Sequence, residues 1–210
     1  VFGGNGDGCA PTSLSDVWVL SGANGTQGTP VWSQLSPSGA LPPGLASSAV
    51  AYDPAANRLY VFGGNLTEGF TCNTSNGVWR LTNANGLGGT PTWTQLSPSG
   101  GTPAARWHSS AVLDASGDRM TIFGGDNACA SNFNDTWVLT GLSGSPAWVP
   151  LAPTGAPAAR AAHAAVYDRG LNRMLVFGGG TSGGYVGESW VLTHANGLGP
   201  SAWSQITTST

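Results

Sequence analysis

Short apolar runs broken by polar turns recur along this chain. Ala164 to Tyr167 is one run and Met174 to Phe177 the next, with Asp168-Arg169-Gly170-Leu171-Asn172-Arg173 between them. Apolar runs of this length, bounded by Asp, Asn and Gly, predict the two strands of a hairpin. The stretch AARAAHAAVYDRGLNRMLVFGG at 158–179 has a close copy, AARWHSSAVLDASGDRMTIFGG, at 104–125. A looser copy, GLASSAVAYDPAANRLYVFGG, lies at 44–64, and Val1-Phe2-Gly3-Gly4 matches only the end of the pattern. Each full copy opens its turn with Asp and closes it with Arg: Asp53 and Arg58, Asp114 and Arg119, Asp168 and Arg173. The Asp is expected to cap backbone N–H groups of the turn. The paired glycines that follow mark a place where a side chain would not fit or φ must be positive. No Lys-Ser/Thr follows them, which argues against a phosphate loop.

What lies between the copies is also repeated. After each Gly-Gly comes a variable loop and then Trp-x-Leu, at Trp18, Trp79, Trp137 and Trp190. A Gly-rich loop leads to a second Trp, at Trp32, Trp93, Trp148 and Trp203, and a Pro-rich link returns to the next copy. Successive Phe-Gly-Gly motifs are 60, 61 and 54 residues apart. Four strands in a period of this length predict a propeller blade. No sustained period-3.6 segment is present, so no long helix is expected. Repetition argues for one array over 1–210, with units at about 1–43 (partial), 44–101, 102–155 and 156–210.

These features together resemble the kelch repeat: Gly3-Gly4, Gly63-Gly64, Gly124-Gly125 and Gly178-Gly179 after an apolar strand, then two Trp positions, and an Arg before the next copy. The resemblance covers practically the whole chain. It implies an all-β propeller of four-stranded antiparallel blades, with the Ala-Val-Tyr-Asp strand innermost. About four blades are expected, the first lacking its innermost strand. The copies are similar to long Gly/Asn-rich repeats of bacterial secreted kelch-like proteins. Leu45 stands where the other copies have Arg106 and Arg160, and Ser48 and Ser109 stand where the last has His163. His163 is therefore read as structural. Some kelch propellers are copper-radical oxidases, but the Tyr, His and Cys pattern of that chemistry is not matched here, and no cofactor is expected.

Charged residues make up only 8% of the 210 residues, all seven basic residues are Arg, and the formal net charge is −3. No cationic footprint for nucleic acid exists, and no apolar run approaches the roughly 20 residues that span a bilayer. Nine Trp and 40% hydrophobic residues suffice for a sizeable core. The chain opens inside the motif without Met and is read as a mature product or a fragment. Its lysine-free, Thr/Asn/Gly-rich surface suggests an extracellular or cell-surface setting.

Cys9, Cys72 and Cys129 all fall in the loops after Gly-Gly. Those loops are expected on one face of the ring, so at least one disulfide between neighbours is expected, with the pairing open. Sequons at Asn24, Asn65, Asn73 and Asn134 are glycosylation candidates in or beside loops. Asn5-Gly6-Asp7-Gly8 and Asp126-Asn127 lack the ligand spacing of an EF-hand and are read as turns, and no metal site is expected. Trp107 has no counterpart in the other copies and is a candidate sugar-stacking platform. The other eight Trp residues are expected in the core.

No Ser-His-Asp order, Cys-His pair or carboxylate dyad stands in a convincing context. The reading is a non-enzymatic extracellular module for interaction or assembly. Its partner would be a protein or another copy of itself, bound by variable loops on one face, with the open strand edge of the first blade as a second route. The alternative is a carbohydrate-binding or carbohydrate-active propeller domain of a larger secreted protein.

Overall fold

The computed structural model describes residues 1–6, 13–26, 28–67, 72–127 and 131–207. Every regular element among them is a strand. The first sheet has three strands in the order β1 (Phe2–Asn5), β2 (Ser13–Ser21), β3 (Val31–Leu35). A short link strand, β4 (Ser38–Gly39), follows. The second sheet then runs through β5 (Ala49–Asp53), β6 (Arg58–Phe62), β7 (Val78–Thr82) and β8 (Thr92–Leu96). Link strand β9 (Ser99–Gly100) precedes the third sheet, formed by β10 (Ser110–Asp114), β11 (Arg119–Phe123), β12 (Thr136–Thr140) and β13 (Ala147–Leu151). The fourth sheet comprises β14 (Ala164–Asp168), β15 (Arg173–Phe177), β18 (Ser189–Thr193) and β19 (Ala202–Ile206). Between β15 and β18 its loop forms the ribbon of β16 (Gly180–Thr181) and β17 (Gly184–Tyr185).

The predicted hairpins are all present, in register from Asp53↔Arg58, Asp114↔Arg119 and Asp168↔Arg173 outward. Each Asp caps its turn. Asp53 accepts from the N–H groups of Ala55 and Ala56, Asp114 from Gly117, and Asp168 from Gly170 and Leu171. Burial raises the Asp114 carboxyl, but donors from Asn196, Ser116 and Gly117 outweigh it and hold it below the usual carboxylate range. The turns close on Asn57, Asp118 and Asn172 at φ of 50°, 54° and 50°, a left-handed conformation that Asn and Asp tolerate best.

Strands β5, β10 and β14 lie innermost, with β10 packed against both neighbours, as a propeller requires. The sheets then stack face to face. Alternate residues of one strand serve two different junctions, so a strand here reads as a continuous apolar run. In β7, Trp79 and Leu81 join Val17 and Trp93 between the first and second sheets. Val78 joins Leu139 and Trp148 between the second and third. Between the third and fourth, Phe123 packs against Trp203 at 4.7 Å and His163 at 5.2 Å, beside Met174, Val176 and Leu192. Fully burying a side chain of this size contributes about 1.5–3 kcal/mol.

The paired glycines stitch successive sheets together. The N–H groups of Gly4, Gly64 and Gly125 donate to the carbonyls of Leu45, Arg106 and Arg160, each from the link into the next sheet. A Cβ on Gly63 would stand 2.4 Å from the Arg106 oxygen, and Gly63 has φ +69°, so both reasons for glycine hold.

Two features differ from the sequence expectation, and a third has no counterpart in it. Blades of four strands were expected, yet the second and third sheets have five. Link strand β4 runs parallel to β8, and β9 parallel to β13, with Thr154 bridging Ala202 in the same way. A Pro-rich link read as a plain connection thus adds to the outer edge of the sheet that it enters. Second, the Trp residues are not uniformly core. Trp79, Trp93, Trp148 and Trp203 are buried, Trp18, Trp137 and Trp190 are half-buried, and Trp32 is 52% exposed. Third, the inner strand of the fourth sheet is open on one side, with Ala164 exposed while Ala165 packs inward.

Candidate functional site

The loops that follow the Gly-Gly pairs are built on clamped stems. Backbone bonds close each stem: Gly63 donates to Gly77, Gly124 to Asp135 and Gly178 to Glu188. In the third sheet one buried guanidinium holds both ends of the loop. Arg106, fully buried, donates from Nη1 to the Gly124 carbonyl at 3.0 Å and to Asp135 Oδ1 at 2.5 Å, and from Nη2 to Asp135 Oδ2 at 2.8 Å. Its Nε donates to Ala104, and its guanidinium lies 4.1 Å from the Phe133 ring centroid. Arg160 repeats the arrangement in the fourth sheet, with the Gly178 carbonyl at 3.1 Å and Glu188 Oε2 at 2.8 Å. Each carboxylate also accepts an indole N–H two residues on, from Trp137 and Trp190, both at 2.8 Å.

Burial would raise the Asp135 carboxyl, but Arg106 and then the Trp137 indole outweigh it and hold it below the carboxylate range. Arg160, followed by the Trp190 indole, does the same for Glu188. A buried Arg is tolerated only when its donors are matched in this way. In the second sheet Leu45 takes the Arg position and Gly77 the acid position, so both charges are absent together.

Neighbouring loops are tied to one another and to the links. Asn65, Asp126 and Gly180 bridge Ala46, Trp107 and Ala161 of the link into their own sheets. Ser13 Oγ donates to the Asn65 carbonyl, and Asn132 Nδ2 donates to the Gly180 carbonyl at 3.0 Å. On this surface the β16–β17 ribbon carries Tyr185, which is 95% exposed.

The predicted sites fall out as follows. Trp107 is only 7% exposed, and its indole N–H donates to Asp126. His108 Nδ1 lies 3.1 Å from the other Asp126 oxygen, and its ring is 3.9 Å from that of Trp107. Trp107 therefore presents no open ring for a sugar to stack on, which corrects that expectation. Asn65 is 1% exposed, so its amide nitrogen is out of reach of a glycan-transferring enzyme, and it leaves the sequon set. Asn24, Asn73 and Asn134 are exposed. Cys72 is exposed and disulfide-bonded. Cys9 and Cys129 lie outside the described residues, as does Asp7 of the first turn motif.

His163 is nearly buried, and its Nε2 lies 2.7 Å from Ser110 Oγ across the junction of the third and fourth sheets. Burial first, and the Arg160 charge second, lower its pKa to about 4, so it stays neutral at ordinary pH. Its Nδ1 is buried without a hydrogen-bond partner, so the acid that would orient a catalytic Ser-His pair is missing among the described residues. Sequence reasoning missed this pair and the two Arg clamps. The clamps had a signal within the chain, namely Arg106 with Asp135 and Arg160 with Glu188, set against Leu45 with Gly77. Tyr185 carried no repeated signal at all.

Comparison with known proteins adds the following. The family model described as KLHDC2/KLHL20/DRC7 Kelch-repeats domain matches residues 74–210. Adagio-like protein 3 of Oryza sativa subsp. japonica is 29% identical over 181 residues, which covers 85% of this chain and 26% of the relative. Adagio-like protein 1 of the same organism is 28% identical over 204 residues, 91% of this chain and 30% of the relative. The leucine-zipper-like transcriptional regulator 1 homolog of Drosophila melanogaster is 33% identical over 122 residues, 54% of this chain and 12% of that protein. The chain thus spans under a third of the length of these relatives. Among solved structures, that of YjhT superposes with a TM-score of 0.59 at 19% identity, over 82% of this chain and 48% of that one.

Proposed function

The chain belongs to the kelch-repeat family, and from that premise we propose that it is a non-enzymatic module that binds a protein partner through the loops after its Gly-Gly pairs. The observation that carries this reading is Tyr185. It stands 95% exposed on a two-stranded ribbon, and the stem of its loop is held by the buried Arg160. A large, stiff aromatic on a preorganised stem loses little freedom on binding and supplies the area that interface hot spots use. The loop of the third sheet is tied to this one by Asn132 and adds polar surface beside it. The disulfide at Cys72 and the absence of lysine support an extracellular setting.

The test is site-specific photo-crosslinking from two exposed positions. A photoreactive residue at Tyr185 is expected to capture a discrete protein partner. The same residue at Leu171, which is 59% exposed on the turn that closes the far end of the fourth sheet's hairpin, is expected to capture none. Equal capture from both positions, or capture from Leu171 alone, would refute the loop surface as the binding site.

A further inference from the structure

His163 is wedged between two loop stems. A Cβ on Gly124 would stand 3.0 Å from its ring carbon Cε1, and a Cβ on Gly179 would stand 3.0 Å from its own Cβ. These glycines belong to the pairs that begin the loops of the third and fourth sheets. The ring also spans the junction of those sheets, edge-on to Phe123 at 5.2 Å and 2.7 Å from Ser110 Oγ. Beside Gly64 and Gly125 the same place is taken by Ser48 and Ser109, whose hydroxyls carry no charge.

The surroundings suit one form of the ring. Neutral imidazole has one N–H and one bare nitrogen, and the Ser110 hydroxyl can serve Nε2 in either tautomer. Imidazolium has an N–H at both nitrogens. Nδ1 is buried with no partner, so a proton there meets no acceptor. Among the described residues Arg160 is the charged group that acts on the ring, and it opposes a second positive charge. Arg160 also holds the stem of the fourth loop through the Gly178 carbonyl and Glu188. Its own carbonyl accepts from Gly125 of the third. A charge on His163 therefore acts where the two stems are tied.

We infer that His163 is an acid-sensitive wedge, whose protonation loosens the stems of the third and fourth loops and leaves the stem of the second closed. The opening is local, because hairpins β10–β11 and β14–β15 keep their full backbone pairing. Once opened, the ring titrates at its ordinary 6.5, against about 4 when wedged. The open form thus binds more protons between these values, and opening is favoured as pH falls through them. Asp135 and Glu188 are held below the carboxylate range, so both clamps keep their charge in this window. If the loops bind a protein partner as proposed above, acid weakens that binding, but the loosening itself does not depend on that reading.

The experiment is amide hydrogen exchange on the chain without a partner, with each rate divided by that of unstructured chain at the same pH. The reporters are Gly124 and Gly178, whose N–H groups close the two stems on Asp135 and Glu188, and Gly63, which closes the second stem on Gly77. From about pH 7.5 to about pH 5 the opening constant at Gly124 and Gly178 is expected to rise about thirtyfold. At Gly63 it should change by less than about threefold. In His163→Gln the rise at Gly124 and Gly178 should vanish. His108, the other histidine at these loops, stays in place in that variant. No rise at the two stems, an equal rise at Gly63, or a rise that persists in His163→Gln would overturn the inference. The first two outcomes are read on the native chain and do not need the variant to fold.

Discussion

Trp32 and Trp203 hold the same place in the outer strands of the first and fourth sheets, and their surroundings are opposite. Trp203 is 5% exposed and rests on Phe123, while Trp32 is 52% exposed. The phenylalanines show the converse. Phe62 and Phe123 are fully buried, and their counterpart Phe177 in the fourth sheet is 58% exposed. Burial in this chain is therefore a property of the junction between two sheets and not of the residue. Each sheet has one face that meets the sheet before it and another that meets the sheet after it. Stability should accordingly be close to a sum over neighbouring junctions.

The largest expected effect breaks that comparison directly. Trp203→Ala empties the junction of the third and fourth sheets and should cost about 3–5 kcal/mol. Trp32→Ala, at the equivalent but open place, should stay within about 1 kcal/mol. Urea unfolding of both variants decides the matter, and similar costs would mean that Trp32 is covered in solution.

Next in size is the contrast between charged and apolar loop stems. Arg106→Ala should destabilise by about 1–3 kcal/mol, because the Gly124 carbonyl loses this donor and Asp135, 40% exposed, keeps only the Trp137 indole of its side-chain donors. The double variant Arg106→Leu, Asp135→Gly reproduces what the second sheet has at Leu45 and Gly77. It should recover most of that loss. If the double variant is as unstable as Arg106→Ala, the pair holds more than the stem of its own loop.

The third test sharpens the junction by pH. The folded state holds His163 neutral, with a pKa near 4 against 6.5 unfolded. The unfolded chain therefore binds more protons between those values, and stability must fall as pH drops from about 6.5 to 4. The expected loss is on the order of 3 kcal/mol at most. It should be read as a drop in the urea midpoint that His163→Gln abolishes. A flat midpoint over that range in the native chain would show that Ser110 and Phe123 do not hold the ring as buried as they do here.

Much of the fold is legible in the sequence because it rests on local rules repeated with the same spacing. The turn aspartates, the paired glycines and the Trp-x-Leu strands each state a backbone need within a few residues. What the sequence hides is pairing over distance. Ser38-Gly39 joins the edge of a strand 54 residues on at Thr92, and nothing in a Pro-rich link announces a parallel partner. Arg106 and Asp135 were hidden for another reason. Their relation emerges only when Leu45 and Gly77 are seen as a matched loss, and a single mismatched Arg position reads as ordinary drift. Trp107 misled in the opposite direction, since a residue without counterparts draws attention as a binding candidate although Asp126 and His108 hold it in place.

The link strands also set how such a gene can grow. Ser38 and Gly39 follow β3 of the first sheet along the chain, yet they pair with β8 of the second sheet. A stretch of chain that runs from the start of one sheet to the start of the next therefore carries a strip that completes its neighbour. A repeat gained or lost exchanges the finishing strip of one sheet as well as adding or removing another, so new units are compatible only when the cuts fall at matching points of two copies. Inheritance by whole periods then preserves the overlap, which would explain why four copies so divergent in their loops keep the same order of parts.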